Sequence, residues 1–532
     1  MKAAALATST KPPIFKQLKA PFSNFDYVEA NFDGEAAIRR LFSQARSHGS
    51  KTFVVEEIKA EGVVLSENLE ISNKYPDYRM TKLKRVSFWK QSVTSANQIG
   101  NLSSTQLIGY FIAKKDSVPS IKKNEWHVFE AVFRKYQHDH NCVARQVRYP
   151  VNITGHDFTI KGVIYCQQNK LNKACAQVAL RSLCSLHHPL GEITYEKINK
   201  AAATIPGRYN PKDGLSVQRI RAVLRTFGLG FSDIDYSEEK DVVRNEFPYQ
   251  KLIYSGIESG AGALLGFQMA TRKTRKAKHH SIPFFGHTFN MDTWVANATS
   301  SYFKVGKKTK YLPSETWLSS FIGHDDNFGS NFCVPRLFLE PMQVTYALAI
   351  LPPGVEYDGV RAETIATDYL YSLKKDKNLA NSTSTWVKRF YDSSEEQEVI
   401  LRAIAISKKD YIDHLLEMKD WHGRRFPRSI RNLSELLSDH LWMVEISLPE
   451  LFPINKRKLG EIVLDATTKP SHKRDYETFR FARFPSHLFF ISGVEKNGDP
   501  KFLHMPSKIK SHTKLYLKHD VVQMNENARN RR

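Results

Sequence analysis

Residues 165–183 read YCQQNKLNKACAQVALRSL, and the residue types in this stretch suit thiol chemistry. Cys175 stands where a polar loop gives way to an apolar-periodic run that predicts a helix. A cysteine becomes a good nucleophile when its thiolate is stabilised. The unpaired N–H groups and positive dipole end of a helix N-terminus do this, and a nearby imidazolium does it more strongly. Lys170 and Lys173 are expected to add positive potential. Val178, Ala179, Leu183 and Leu186 recur at helical spacing, so one face is buried and the first turn is held in place. Gln168 lies on the loop entering that helix, with Gln167 beside it. A side-chain amide there, together with a backbone N–H, has the donors to stabilise the oxyanion formed when a thiolate attacks a carbonyl. Cys142, Cys166 and Cys184 sit inside apolar runs and are expected to be small packed side chains.

The thiol needs a base. Among 19 histidines, His287 is the choice, because it follows Gly286 inside the β-type run SIPFFGHTFN. The sequence onward, HTFNMDTWVANA, predicts strand, tight turn and strand. In that register His287 falls opposite Ala296 or Asn297, and Asn297 is placed to fix the imidazole tautomer. Asp292, in the turn, and Asp326, in the polar run FIGHDDNFGSNFCVPR, are alternatives for this third member. His324, Asp325, Asp326 and Asn327 have donor chemistry for a hard cation, but the run reads as a turn with Asx hydrogen bonds. No metal and no cofactor is assigned.

These residues must be positioned by elements of several kinds. Residues 1–155 are expected to form a β-rich N-terminal domain, from runs such as TFVVEEI, QLIGYFIAKK and WHVFEAVFRKY. Residues 156–345 give a strand, the cysteine helix, further helical segments and then the β-type runs that carry His287. Residues 346–520 mix helical patterns with β-type runs, and 521–532 form a polar basic tail expected to be disordered. The class expected is α+β, with a helix carrying the cysteine packed on an antiparallel sheet carrying the histidine.

The order Gln168, Cys175 at a helix start, His287 on a later strand and Asn297 on the next resembles the papain-like cysteine peptidase fold. The closest likeness is to bacterial C39-like peptidases. It covers about 160–340 and is a match of order and layout; the C-G-[SA]-C-[WY] box of papain itself is absent. The resemblance implies a cysteine-dependent hydrolase or related thiol acyl-transfer enzyme acting on a protein or peptide. Cys175 would be nucleophile, His287 base and acid, Asn297 its orienting partner and Gln168 the oxyanion donor.

Composition sets the remaining bounds. Five cysteines without a Cys-x-x-Cys pair argue against a disulfide framework or zinc finger, and for a reducing, cytoplasmic setting. No apolar run approaches a membrane span. The net charge of +23 admits an acidic partner, nucleic acid included, on charge alone. The densest basic stretch, TRKTRKAKHH at 271–280, offers Arg272, Lys273, Arg275 and Lys276 as contacts for an acidic substrate or phosphates. A catalytically silent papain-like scaffold with a basic binding surface is the alternative reading.

Overall fold

The computed structural model describes residues 11–18, 24–135, 141–143, 145–188, 193–236, 248–270, 277–288, 311–339, 343–395, 398–452, 455–470, 477–494 and 500–517. Asn297 and Asp292, the basic residues Arg272, Lys273, Arg275 and Lys276, and the tail 521–532 lie outside them. The architecture is α+β, built on three antiparallel-dominated sheets.

The β-branched and aromatic runs of the first third become β1 (Ile14–Gln17), β2 (Thr52–Glu57), β3 (Arg79–Trp89), β4 (Leu107–Val118), β5 (Lys123–Phe133), β6 (Asn141–Val143), β7 (Val147–Ile153) and β8 (His156–Tyr165). Seven of them form a sheet in the order β1-β2-β3-β4-β5-β8-β7. This sheet therefore continues past residue 155. The helices Phe25–Phe32 and Ala36–Ser47 bury Val28, Phe32, Ile38, Leu41 and Phe42 against Phe53, Phe88, Phe111 and Trp126 of the sheet. A second core joins this sheet to the cysteine helix: Phe129, Val132 and Ile164 share it with Val178, Leu180 and Leu183. Each such side chain contributes roughly 1.5–3 kcal/mol of burial, so the helix carrying Cys175 is firmly seated.

The central sheet contains β9 (Gly230–Asp235), β10 (Ala263–Ala270) and β11 (Ala277–Thr288). After β12 (Leu312–Pro313) come β13 (Ser320–Asp325), β14 (Gly329–Pro335) and β15 (Val344–Leu351). Its order is β14-β13-β11-β10-β15-β9, and β6 leaves the N-terminal region to pair with β11. The third sheet, order β12-β16-β17-β19-β20-β21-β22, is made by β16 (Ile400–Ser407), β17 (His440–Ser447), β19 (Gly460–Asp465), β20 (Phe479–Phe484), β21 (His487–Val494) and β22 (Pro500–Pro506). The helices Tyr249–Glu258 and Gly359–Lys374 pack between the central and third sheets. Among the described residues no helix is long and apolar enough to cross a membrane.

Candidate functional site

The cysteine helix runs Cys175–Cys184. Its N-cap is Ala174, in extended conformation, which has no side-chain group to cap the first-turn N–H groups. Those donors and the positive end of the helix dipole therefore face the space around the thiol. Cys175 is half-buried, while every other residue of the helix is buried. Gln177 fixes the entry: its Oε1 accepts from the Ala174 N–H at 3.2 Å and its Nε2 donates to Pro211 O at 2.8 Å.

The loop from β8 to the helix is held by buried polar groups. Gln167 pairs with the edge of β5, accepting from Val128 N at 2.9 Å and donating from its own backbone to Val128 O at 2.9 Å. Asn169 Oδ1 accepts from the N–H groups of Leu171 and Asn172 at 2.9 and 3.2 Å, which closes a tight turn. Lys170 sits on that turn with left-handed backbone, φ 57°. Asn169 and Lys173 donate to Glu67 on the helix Gly62–Lys74, at 3.1 and 2.9 Å. Gln168, half-buried on this braced loop, has its side-chain amide in no hydrogen bond among the described residues.

Lys173 departs from its expected role. Its ammonium is fully buried, paired with Glu67 and set over the rings of Phe129 and Tyr195 at 4.9 and 4.3 Å. It anchors the loop in the N-terminal sheet. Lys170 remains exposed.

The histidine beside Cys175 is His280, and the thiol is among the groups that favour its charged imidazole. His280 Nε2 lies 3.1 Å from Asp325 Oδ2 and 3.5 Å from Asp326 Oδ1. Burial opposes the charged imidazole, but the hydrogen bond to Asp325, the Cys175 thiol and the charges of both aspartates outweigh it, raising the His280 pKa to about 10. Asp325 is held below the usual carboxylate range despite burial, by His280 and by the backbone N–H groups of Asn327 and Phe328. Its Oδ1 accepts those N–H groups at 2.8 and 3.0 Å, so the expected Asx turn is present and aims Oδ2 at the histidine. Burial pushes Asp326 up to about 6, against the attraction of His280.

His287 belongs to a different cluster. It is fully buried, with Nε2 2.5 Å from Glu258 Oε1 and a hydrogen bond to Cys142, its register partner on β6. The two histidines are seven positions apart on β11, ~23 Å of strand at ~3.3 Å per residue. His287 therefore cannot stand in for His280. The strand beside it on that edge is β13, with Phe321 opposite His287, and β13 ends at Asp325. Cys142 is correspondingly a hydrogen-bonding thiol as well as a packed one. Burial opposes charge on His287, but Cys142 and Glu258 raise its pKa to about 10. Glu258 falls to about 2, burial being outweighed by Arg402 and His287.

From Glu258 the charges continue in alternation. Arg402 Nη2 lies 2.5 Å from Glu258 Oε2 and its Nη1 2.8 Å from Glu445; Lys458 bridges Glu445 and Glu461 at 2.8 and 2.6 Å; Arg483 meets Glu461 at 3.1 Å. All of these side chains are buried.

A cavity of about 720 Å³ lies behind the β13–β14 turn, lined by residues that include Arg40, Gln44, Lys135, Phe328 and Cys333. Neither Cys175 nor His280 lines it, so the candidate site is assigned on side-chain chemistry and not on cavity size. Compared with models of known protein families, with curated proteins and with solved structures, the chain matches none of them.

Proposed function

We propose that the chain is a cysteine-dependent acyl-transfer enzyme, a peptidase or a close chemical relative, with Cys175 as nucleophile, His280 as acid and base, and Asp325 as the group that orients His280. The observation that carries this reading is that His280 stands between Cys175 and Asp325, 3.1 Å from the Asp325 carboxylate, with the thiol on an uncapped helix N-terminus. The order of cysteine, histidine and acid, and the packing of the cysteine helix beside an antiparallel sheet, support the papain-like resemblance with His280 in place of His287.

In this reading the Cys175 thiolate adds to the carbonyl carbon of a peptide or related acyl substrate. The oxyanion is met by the Cys175 N–H and the Gln168 amide. His280 gives its proton to the leaving amine as the C–N bond breaks, which leaves a thioester on Cys175. His280 then takes a proton from water as its oxygen attacks, and the acid is released with the thiol restored. An amine in place of that water gives transfer instead of hydrolysis.

Alkylation with an electrophilic thiol probe, mapped by peptide mass spectrometry, tests the assignment. The parent chain is expected to react first at Cys175, and His280→Ala to slow that reaction. Equal alkylation in His280→Ala, or reaction confined to the exposed Cys333, would overturn it and leave the scaffold reading.

A further inference from the structure

Three groups of described residues bring a histidine and at least one carboxylate close enough to share an ion: Cys142, Glu258 and His287; Glu67, Asp116 and His127; and His280, Asp325 and Asp326. Protein cations already balance the first two. Arg402 is salt-bridged to Glu258, and Lys114 and Lys173 are salt-bridged to Glu67. The third group differs. Two aspartates face one imidazole, one more acid than a Cys–His–Asp series needs. Among the described residues, the other cation that acts on Asp326 beside His280 is Lys170, which is exposed.

Three further observations point to a ligand. Asp326 is only 4% exposed, and its Oδ2 is buried with no hydrogen-bond partner. An orphan carboxylate oxygen in that setting costs several kcal/mol in general. The donor spacing suits a metal: His280 Nε2 is 3.1 and 3.5 Å from the two carboxylate oxygens, and tetrahedral bonds of about 2.0–2.1 Å set donor atoms ~3.3 Å apart. In the Glu258 cluster the 2.5 Å contact to His287 is too short for a shared ion and fits a hydrogen bond. The outer contacts are also in place. Asp325 Oδ1 is fixed by two backbone N–H groups and Asp326 Oδ1 by Asn327 Nδ2 at 3.1 Å.

We propose that His280 Nε2, Asp325 Oδ2 and the Asp326 carboxylate form a site for a divalent transition-metal cation of the zinc class, and that its occupancy competes with proton transfer by His280. The second half rests on the acyl-transfer reading; the first does not. One imidazole and two carboxylates supply a charge of −2 that the ion neutralises, and a fourth position stays open. Binding replaces the Nε2 proton, which is released. With Nε2 on the metal the ring can no longer become an imidazolium, so it cannot carry a proton between Cys175 and a substrate.

Calorimetric titration of the full chain with zinc chloride tests the site. One equivalent is expected to bind. Asp326→Asn should weaken it at least tenfold, and Cys175→Ala should bind within threefold of the parent. X-ray absorption should find nitrogen and oxygen neighbours only. Absence of binding in the parent, unchanged binding in Asp326→Asn, or a sulfur neighbour would overturn the site. Zinc should also slow Cys175 alkylation with the calorimetric midpoint, and zinc that binds without slowing it overturns the competition. Zinc binding that needs Asp326, in a chain whose Cys175 never alkylates, would leave the metal site standing and remove the acyl-transfer reading together with that competition.

Discussion

Two of the three histidines on strand β11 each meet a thiol and a carboxylate. His280 joins the half-buried Cys175 to Asp325 and Asp326; His287 joins the buried Cys142 to Glu258. The chemistry of the two sets is nearly the same, and their surroundings are opposite. Around His287 an alternating series of buried charges runs through Arg402, Glu445, Lys458, Glu461 and Arg483. Every acid there has a cation, and the thiol is buried among the described residues. Around His280, among the described residues, two buried aspartates face one imidazole and the thiol is half-buried. The same three functional groups serve as an internal tie in one place and as a reactive site in the other. Solvent access and charge balance make the difference.

The largest expected effect separates the two by reactivity. His280→Ala should slow Cys175 alkylation by ~10²–10⁴-fold, the usual range for a lost acid–base group. A comparable loss in a His287 variant whose near-UV spectrum is native would break the comparison.

The converse experiment reads stability. Glu258→Gln leaves Arg402 and His287 facing a neutral group, and removing one member of a buried ion pair costs ~3–5 kcal/mol. Urea unfolding should show that loss, while the folded protein alkylates at the parent rate. A loss under ~1 kcal/mol would mean that the tie is dispensable.

A smaller effect lies in pH dependence. Both histidines have folded values near 10 against an ordinary 6.5. Their stabilisation is complete below about pH 6.5 and is lost as pH rises toward 10. Glu258, lowered to about 2, contributes above its ordinary value and loses that contribution as pH falls toward 2. Thermal midpoints should therefore decline from pH 6.5 to 10 in the parent, and less steeply in Glu258→Gln. Equal slopes would detach His287 from Glu258. The smallest effect belongs to Lys170→Ala, which should change alkylation less than twofold because an exposed charge is screened.

The sequence disclosed the local half of this arrangement. A polar loop followed by helical periodicity marks the cysteine helix, and the β-branched runs mark most strands. The HDDN run carries the mark of an Asx turn. What it hid was pairing. AKHHS has weak strand character and follows a basic stretch, so His280 reads as loop; its place in β11 is set by β10, where Phe267 lies opposite it. Asp325 is adjacent to His280 only because β13, about forty positions later in the chain, pairs with β11. Lys173 reads as a charge that lends positive potential to the thiol, and only Glu67 on a distant helix turns it inward. A cue was available in the two adjacent histidines: on a strand one of the pair must face inward, and here His279 is exposed while His280 is buried.

The short strand β6 has a consequence for how the chain comes together. It leaves the N-terminal region to pair with β11, and β12 likewise leaves the middle of the chain to pair with β16. Each main unit thus waits for a strand donated across a long stretch of sequence. The N-terminal sheet can form as soon as β8 has been synthesised. Cys142 cannot reach His287 until the whole of β11 exists, nor can Glu258 meet Arg402 until β16 does. Contacts of such high sequence separation slow folding. A fragment starting after β6 would have to fold its central sheet with His287 lacking Cys142.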